Sequence, residues 1–226
     1  MSMPFYIPAE QQARDKADFA RKGIARGRSV VAVTYTDGLL FVADNPSATL
    51  NKLSEIYDRI AFAGVGKYSE FEQLRRFGIR NAEVTGYQYA REDVAGRSLA
   101  NAYASALGQA FAEGQKPFEV ELLVGEVGDD GVEVYRILYD GSITDEQGFV
   151  VVGGSAEAVQ TRLKDSYAAD LSLGDALGIA QKALSTNGDI EAANLEVAGL
   201  DRTRGRRKFF RLPDERVAEL LGQPTA

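Results

Sequence analysis

Residues 23–44, GIARGRSVVAVTYTDGLLFVAD, contain two apolar runs on either side of one turn signal. The runs SVVAVTYT and LLFVAD are rich in β-branched and apolar residues, which favour strands. Asp37-Gly38 lies between them and is typical of a two-residue type I′ turn. The stretch therefore predicts a β-hairpin. Its first strand carries three hydroxyl side chains, those of Ser29, Thr34 and Thr36.

The composition of the 226-residue chain is that of an ordinary globular protein, with 45% hydrophobic and 26% charged residues. Its net charge of −7 disfavours nucleic acid or an anionic membrane surface as the main partner. No apolar run approaches the roughly 18 residues that a membrane span needs. The N-terminus lacks the basic start and apolar stretch of a secretory signal, and there is no cysteine to form disulfides. We therefore expect a cytoplasmic protein.

The absence of both histidine and cysteine limits the chemistry further. Ser-His-Asp and Cys-His mechanisms are excluded, and so are zinc sites built from histidine or cysteine. We expect neither a metal nor a cofactor. An enzyme with this composition would need carboxylate or lysine chemistry, or a nucleophile activated by a terminal amine.

The elements along the chain predict layers of sheet and helix. A helix is expected at residues 9–22, ended by Gly23, with a stripe of alanines that faces either its own domain or a neighbouring subunit. After the first hairpin, the pattern predicts strand 60–66, a helix from about Ser69 and a helix at about 94–113. A second hairpin is expected from FEVELLVGEV and VEVYRILY, followed by strand 149–154 and helices near 155–168 and 172–186. Two strands and a helix from about Pro213 complete the prediction. Pairs of hairpins alternating with pairs of helices predict two stacked, mainly antiparallel sheets flanked by helices, in one α+β domain.

Two further stretches suggest other functions. The sequence Gly64-Val65-Gly66-Lys67 between a strand and a helix resembles a phosphate loop, but it lacks the residues that complete either nucleotide-binding motif. The run RTRGRRKFFR (202–211) has six basic residues in ten with two phenylalanines, a pattern that can bind single-stranded nucleic acid. A solvated edge or a subunit contact is favoured for this run because the chain is acidic.

Three parts of the chain resemble the proteasome core-particle family. They are the stretches RKGIARGRSVVAVTYTDGLLFVADNPS and KLSEIYDRIAFAGVGKYSEF and the leader FYIP…EQQARDKADFARKGIARG. The leader is similar to that of the actinobacterial α-type subunits, and the resemblance continues through AGRSLANAYASALGQAF and YDGSITDEQGFVVVGGSAEAV. It implies the four-layer αββα fold of N-terminal-nucleophile hydrolases and homo-heptameric rings that stack on rings of β subunits.

The resemblance also implies that this chain is not catalytic. In catalytic relatives, cleavage makes a threonine the first residue and its own amine the base. That position falls at about Arg28 here, while the supporting aspartate and lysine fall at Asp44 and Lys52. Precursors are cut between glycine and threonine, and this chain contains no Gly-Thr dipeptide. The alternative is a self-processing threonine or serine peptidase of the same fold.

Two roles follow for particular residues. In α-type rings, the lysine at the place of Lys52 receives the C-terminal carboxylate of an activator such as a ring-shaped ATPase, so we expect Lys52 to bind the activator. Residues 1–8 correspond to the segment that closes the axial pore, ahead of a single domain at residues 9–226. The expected gating residues are Met3, Pro4, Phe5, Tyr6, Ile7 and Pro8.

Overall fold

Ten strands form two five-stranded sheets in the computed structural model, which describes residues 8–129, 131–186, 188 and 190–223. The strands are Val30–Tyr35 (β1), Gly38–Asp44 (β2), Leu53–Tyr57 (β3), Ile60–Gly66 (β4), Val120–Val127 (β5), Val132–Ile137 (β6), Ile143–Glu146 (β7), Phe149–Val152 (β8), Leu195–Asp201 (β9) and Phe209–Leu212 (β10). The helices are Ala9–Ala25 (α1), Tyr68–Gln88 (α2), Gly96–Glu113 (α3), Ala156–Ser166 (α4), Leu173–Leu184 (α5) and Asp214–Leu221 (α6).

The first sheet has the strand order β10-β9-β2-β1-β8, and the second has the order β3-β4-β5-β6-β7. Within the described ranges, neighbouring strands all run antiparallel. Strand β2 lies at the centre of the first sheet, between β1 and β9. Strand β9 from the C-terminal part of the chain is therefore brought beside the first hairpin.

Three apolar cores separate four layers. Along β1, Val31 and Val33 pack beneath α4, α5 and α6, whereas Val30 and Ala32 face the second sheet. A third core lies between the second sheet and α2 and α3, where Tyr103 is fully buried. The order of layers is helix, sheet, sheet, helix, which confirms the predicted αββα sandwich. Among the described residues, no helix combines the length and apolar character that crossing a membrane requires.

Helix α1 is longer than the predicted 9–22, because it continues through Gly23 to Ala25. A side chain at Gly23 would collide with Glu119 next to β5, so the glycine permits close packing here and does not end the helix. Ala20 and Ile24 are buried together with Tyr139. The C-terminal half of α1 therefore packs on its own domain.

The turn of the first hairpin lies one residue earlier than predicted. Tyr35 pairs with Gly38, which leaves Thr36 and Asp37 as the two loop residues. Neither has a positive φ, so the turn is not of type I′. Gly38 belongs to β2 and pairs with Asp201 on its other side, where a Cβ would meet the carbonyl of Leu200. The glycine is thus required by the close approach of β9.

Candidate functional site

The open end of the β1–β2 hairpin carries an ion pair. Because Val30 lies opposite Ala43, Ser29 just before β1 lies beside Asp44 at the end of β2, and Arg28 comes one residue earlier in the chain. Arg28 Nη1 donates a hydrogen bond to Asp44 Oδ1 over 2.7 Å. The guanidinium is 56% exposed and the carboxylate 21%. The place that the resemblance gives to a nucleophile therefore holds a cation bonded to the supporting aspartate.

Lys52, at the end of the loop from β2 to β3, reaches back to this ion pair. Its Nζ donates to the backbone oxygen of Arg28 over 2.7 Å and to that of Asp44 over 3.1 Å. Burial lowers the pKa of Lys52 to about 8; the Asp44 and Glu196 carboxylates oppose this shift, and the Arg28 guanidinium adds to it. The structure thus brings together Arg28, Asp44 and Lys52, which we name the hairpin-end cluster.

The hydroxyl groups of Ser29, Thr34 and Thr36 have structural partners. Ser29 is buried, and its Oγ accepts a hydrogen bond from the backbone nitrogen of Ser155 over 3.2 Å. Thr34 Oγ1 and Thr36 Oγ1 each donate to a backbone carbonyl oxygen over 3.0 Å. Each of these residues follows another in the continuous chain, so its nitrogen is an amide and cannot act as a base.

A groove of about 590 Å³ opens beside the hairpin-end cluster. Arg26, Gly27 and Arg28 line it, together with Asp44 and Ser155 at the start of α4. Guanidinium groups bind carboxylates through charge-assisted hydrogen bonds. The groove is therefore chemically suited to a small anionic group, such as the end of a peptide.

Two residues that sequence reasoning missed hold the β2–β3 loop beneath this site. The Glu196 carboxylate in β9 is 8% exposed and accepts hydrogen bonds from the backbone nitrogens of Lys52 and Leu53 over 2.8 and 3.1 Å. Arg211 in β10 donates to it over 2.6 Å. Because Arg211 pairs across the strands with Ala198, it lies diagonally opposite Glu196 on the same face of the sheet. One acidic and one basic residue, each flanked by apolar residues in its strand, were the signal that could have revealed this pair.

The two alternative motifs have structural explanations. At the end of β4, Gly64 lies against Phe71 of α2, and a side chain at Gly66 would meet the backbone of Glu119. Gly64 therefore permits close packing of strand on helix, and Gly66 permits the close approach of the backbone that leads into β5. In the basic run, Arg206 and Arg207 form ion pairs with Asp58 and Glu55 of the β3–β4 hairpin.

Of the expected gating residues, Met3, Pro4, Phe5, Tyr6 and Ile7 lie outside the described residues. Pro8 is exposed directly before α1, and its carbonyl oxygen accepts the backbone hydrogen bond of Gln12 over 3.1 Å. The first helix thus begins immediately after the expected gating segment. The role of that segment stays a prediction.

Fold and site together define the class: a four-layer αββα sandwich with an arginine–aspartate–lysine cluster at the open end of its first hairpin. The model of the family described as "Proteasome subunit" matches residues 24–199. The chain is also similar over its length to three proteins named "Proteasome subunit alpha". That of Thermomonospora curvata is 56% identical, covering 99% of both chains; that of Frankia alni is 56% identical, covering 99% of this chain and 98% of the relative. That of Streptosporangium roseum is 58% identical, covering 100% and 89%.

The chain belongs to the proteasome subunit family. The prediction made from the hairpin and the leader is therefore confirmed.

Proposed function

We propose that this chain is the non-catalytic α-type subunit of a bacterial proteasome core particle. The observation that carries the proposal is the ion pair between Arg28 and Asp44, which occupies the place of a catalytic nucleophile. The names of the similar actinobacterial proteins support the α type. In this proposal, peptide hydrolysis belongs to the β subunits, and the particle degrades proteins in the cytoplasm together with an ATP-dependent activator.

The subunit forms a homo-heptameric ring that templates and covers a ring of β subunits. Purification of the chain alone and with its β partner, followed by negative-stain imaging, tests this directly. We expect seven-fold rings in the co-assembled sample. Particles without seven-fold symmetry in both samples would contradict the proposal.

Mass spectrometry of the same samples tests the alternative, a self-processing peptidase. We expect an N-terminus ahead of Ser29 in the assembled particle, because Ser29 Oγ is buried and accepts a hydrogen bond from the start of α4. Quantitative cleavage before Ser29, Thr34 or Thr36 would expose a terminal amine beside a hydroxyl and favour the peptidase.

Lys52 receives the C-terminal carboxylate of a ring-shaped ATPase. A lysine ammonium has three N–H donors, and contacts within the described residues account for two of those of Lys52. The third would donate to a carboxylate that approaches from the groove, which is lined by Arg28 and Asp44, the two residues whose backbone oxygens Lys52 contacts. Arg26 and Arg28 add positive charge to the walls of this groove.

Residues 1–8 restrict entry to the pore of the ring. Deletion of residues 2–8 should raise peptide hydrolysis by the co-assembled particle several-fold, because the proposed barrier to substrate entry is removed. The rate is measured with a fluorogenic peptide on purified particles, and the activity of isolated β rings serves as the control. An unchanged rate would mean that these residues do not limit entry.

A further inference from the structure

Glu196 has a buried carboxylate that accepts side-chain and backbone hydrogen bonds from outside its own strand. Its Oε2 accepts from the backbone nitrogen of Lys52 and from Asn45 Nδ2, each over 2.8 Å. Its Oε1 accepts from the backbone nitrogen of Leu53 over 3.1 Å and from Arg211 Nη1 over 2.6 Å. A buried carboxylate is tolerated only when it is paired and hydrogen-bonded. Glu196 meets this condition with donors from both ends of one loop.

The Glu196 side chain thereby binds both ends of the loop from β2 to β3. Asn45 lies at its start and also donates from Nδ2 to the backbone oxygen of Leu50 over 2.9 Å. At its end, Arg211 Nη2 donates to the backbone oxygen of Leu53 over 2.6 Å. The backbone of Lys52 is therefore fixed relative to the end of β2. This arrangement explains why its Nζ reaches the carbonyl oxygens of Arg28 and Asp44.

We infer that Glu196, held by Arg211, is the positioning residue that fixes both the place and the charge of Lys52 for carboxylate docking. The inference rests on the proposed function of Lys52. Four charged groups from separate parts of the chain surround this lysine. They are Arg28 before β1, Asp44 of β2, Glu196 of β9 and Arg211 of β10. With Lys52 they are three cations and two anions, so the group carries one net positive charge. One incoming carboxylate neutralises it.

The surrounding charges give the inference a directional test. The Glu196 carboxylate raises the pKa of Lys52 against the effect of burial, whereas the Arg28 guanidinium lowers it. Removing the charge of Glu196 should therefore make Lys52 lose its proton at lower pH. Removing the charge of Arg28 should have the opposite effect. General loosening of the fold would not produce opposite shifts.

The test measures the protonation of Lys52 without any activator. Acetic anhydride acetylates only neutral amines, so the extent of Lys52 acetylation between pH 6.5 and 10, read by peptide mass spectrometry, reports its titration. We expect the midpoint to fall by roughly half a pH unit in Glu196→Gln and to rise by a similar amount in Arg28→Gln. Lys208 of the same chain serves as the internal reference. Equal midpoints in wild type and Glu196→Gln would overturn the inference.

Glu196→Asp provides a second route if Glu196→Gln does not fold. It keeps the charge but shortens the side chain, so the four hydrogen bonds cannot all be retained. We expect Lys52 to be acetylated several-fold faster at high pH, where the amine is neutral, because the loop is less restrained. A rate equal to that of the wild type would contradict a positioning role.

A final measurement separates this inference from the proposed function. In particles co-assembled with β subunits and the ring ATPase, Glu196→Gln should reduce the ratio of stimulated to unstimulated peptide hydrolysis by roughly five-fold or more. Full stimulation in Glu196→Gln would overturn the positioning role. Full stimulation in Lys52→Ala would instead overturn the docking role of Lys52, while the acetylation midpoints would still decide whether Glu196 sets its charge.

Discussion

Two arginines of the same basic run form ion pairs of similar construction in different surroundings. Arg207 holds Glu55 through three hydrogen-bond contacts of 2.9, 3.0 and 2.6 Å, with side chains 70% and 27% exposed. Arg211 holds Glu196 and a backbone oxygen over 2.6 Å each, with side chains 37% and 8% exposed. The exposed pair can be solvated by water when it is broken, whereas loss of Arg211 would leave the buried Glu196 carboxylate with hydrogen bonds but without its ion-pair partner.

This difference separates a conspicuous sequence feature from the site for which a function is proposed. The six basic residues at 202–211 suggest an anion-binding surface, yet Arg206 and Arg207 bind acidic side chains of their own chain. The hairpin-end cluster is built from isolated residues and is joined to Glu196 from a distant strand. The contacts of each charge therefore distinguish the two regions, and the local density of charges in the sequence does not.

The largest expected effect concerns two lysines with similar contacts. Nζ of Lys52 and Nζ of Lys208 each donate to two backbone carbonyl oxygens, but Lys208 lies in the exposed basic run. Lys52→Ala should reduce the ratio of ATPase-stimulated to unstimulated peptide hydrolysis to about one, because the docking cation is lost. The ratio is measured with co-assembled particles and a fluorogenic peptide.

Lys208→Ala is the matched control for this prediction and should keep the wild-type ratio. A loss of stimulation in both variants would mean that the two regions do not differ in function. Stimulation that survives in Lys52→Ala would show that the carboxylate docks elsewhere.

Much of the fold follows from the sequence, and the exceptions have physical causes. Strand β3 was missed because a register shift between Glu55 and Tyr57 breaks the alternation of its apolar residues. Strand β7 was missed because it is an edge strand with exposed residues, so it lacks a buried face that would leave a pattern. An alternating pattern of apolar residues predicts a strand only where one face of that strand is buried.

The candidate site was predictable in part. The resemblance placed Arg28, Asp44 and Lys52 in one site, and the register of β1 and β2 explains why they meet. Glu196 and Arg211 were not found because the contact between Glu196 and Lys52 joins residues 144 positions apart. Strand order in the sheet brings them together, and local sequence patterns do not encode that order.

The second prediction compares the stability of the two ion pairs. Arg211→Met should lower the free energy of unfolding by about 2 kcal/mol, because the Glu196 carboxylate is left buried without its cation. Arg207→Met makes the same chemical change at the exposed pair and should leave the melting temperature within experimental error. Thermal unfolding followed by circular dichroism measures both. Equal losses would show that burial does not distinguish the pairs.

The smallest expected effect is the pH dependence of docking. In the proposed docking role, Lys52 binds the carboxylate as a protonated ammonium, and burial lowers the pKa of Lys52 to about 8. The charged fraction therefore decreases as pH rises through this value, while the carboxylate of the activator stays ionised. Occupancy of the docking cation should fall about two-fold between pH 7 and pH 8, and the stimulation ratio should fall with it at limiting activator concentration. The Lys52→Arg variant keeps its positive charge over this range, so any stimulation that it retains should not decrease between pH 7 and pH 8. A wild-type stimulation ratio that stays constant from pH 7 to 9 would show that the Lys52 ammonium is not the docking cation.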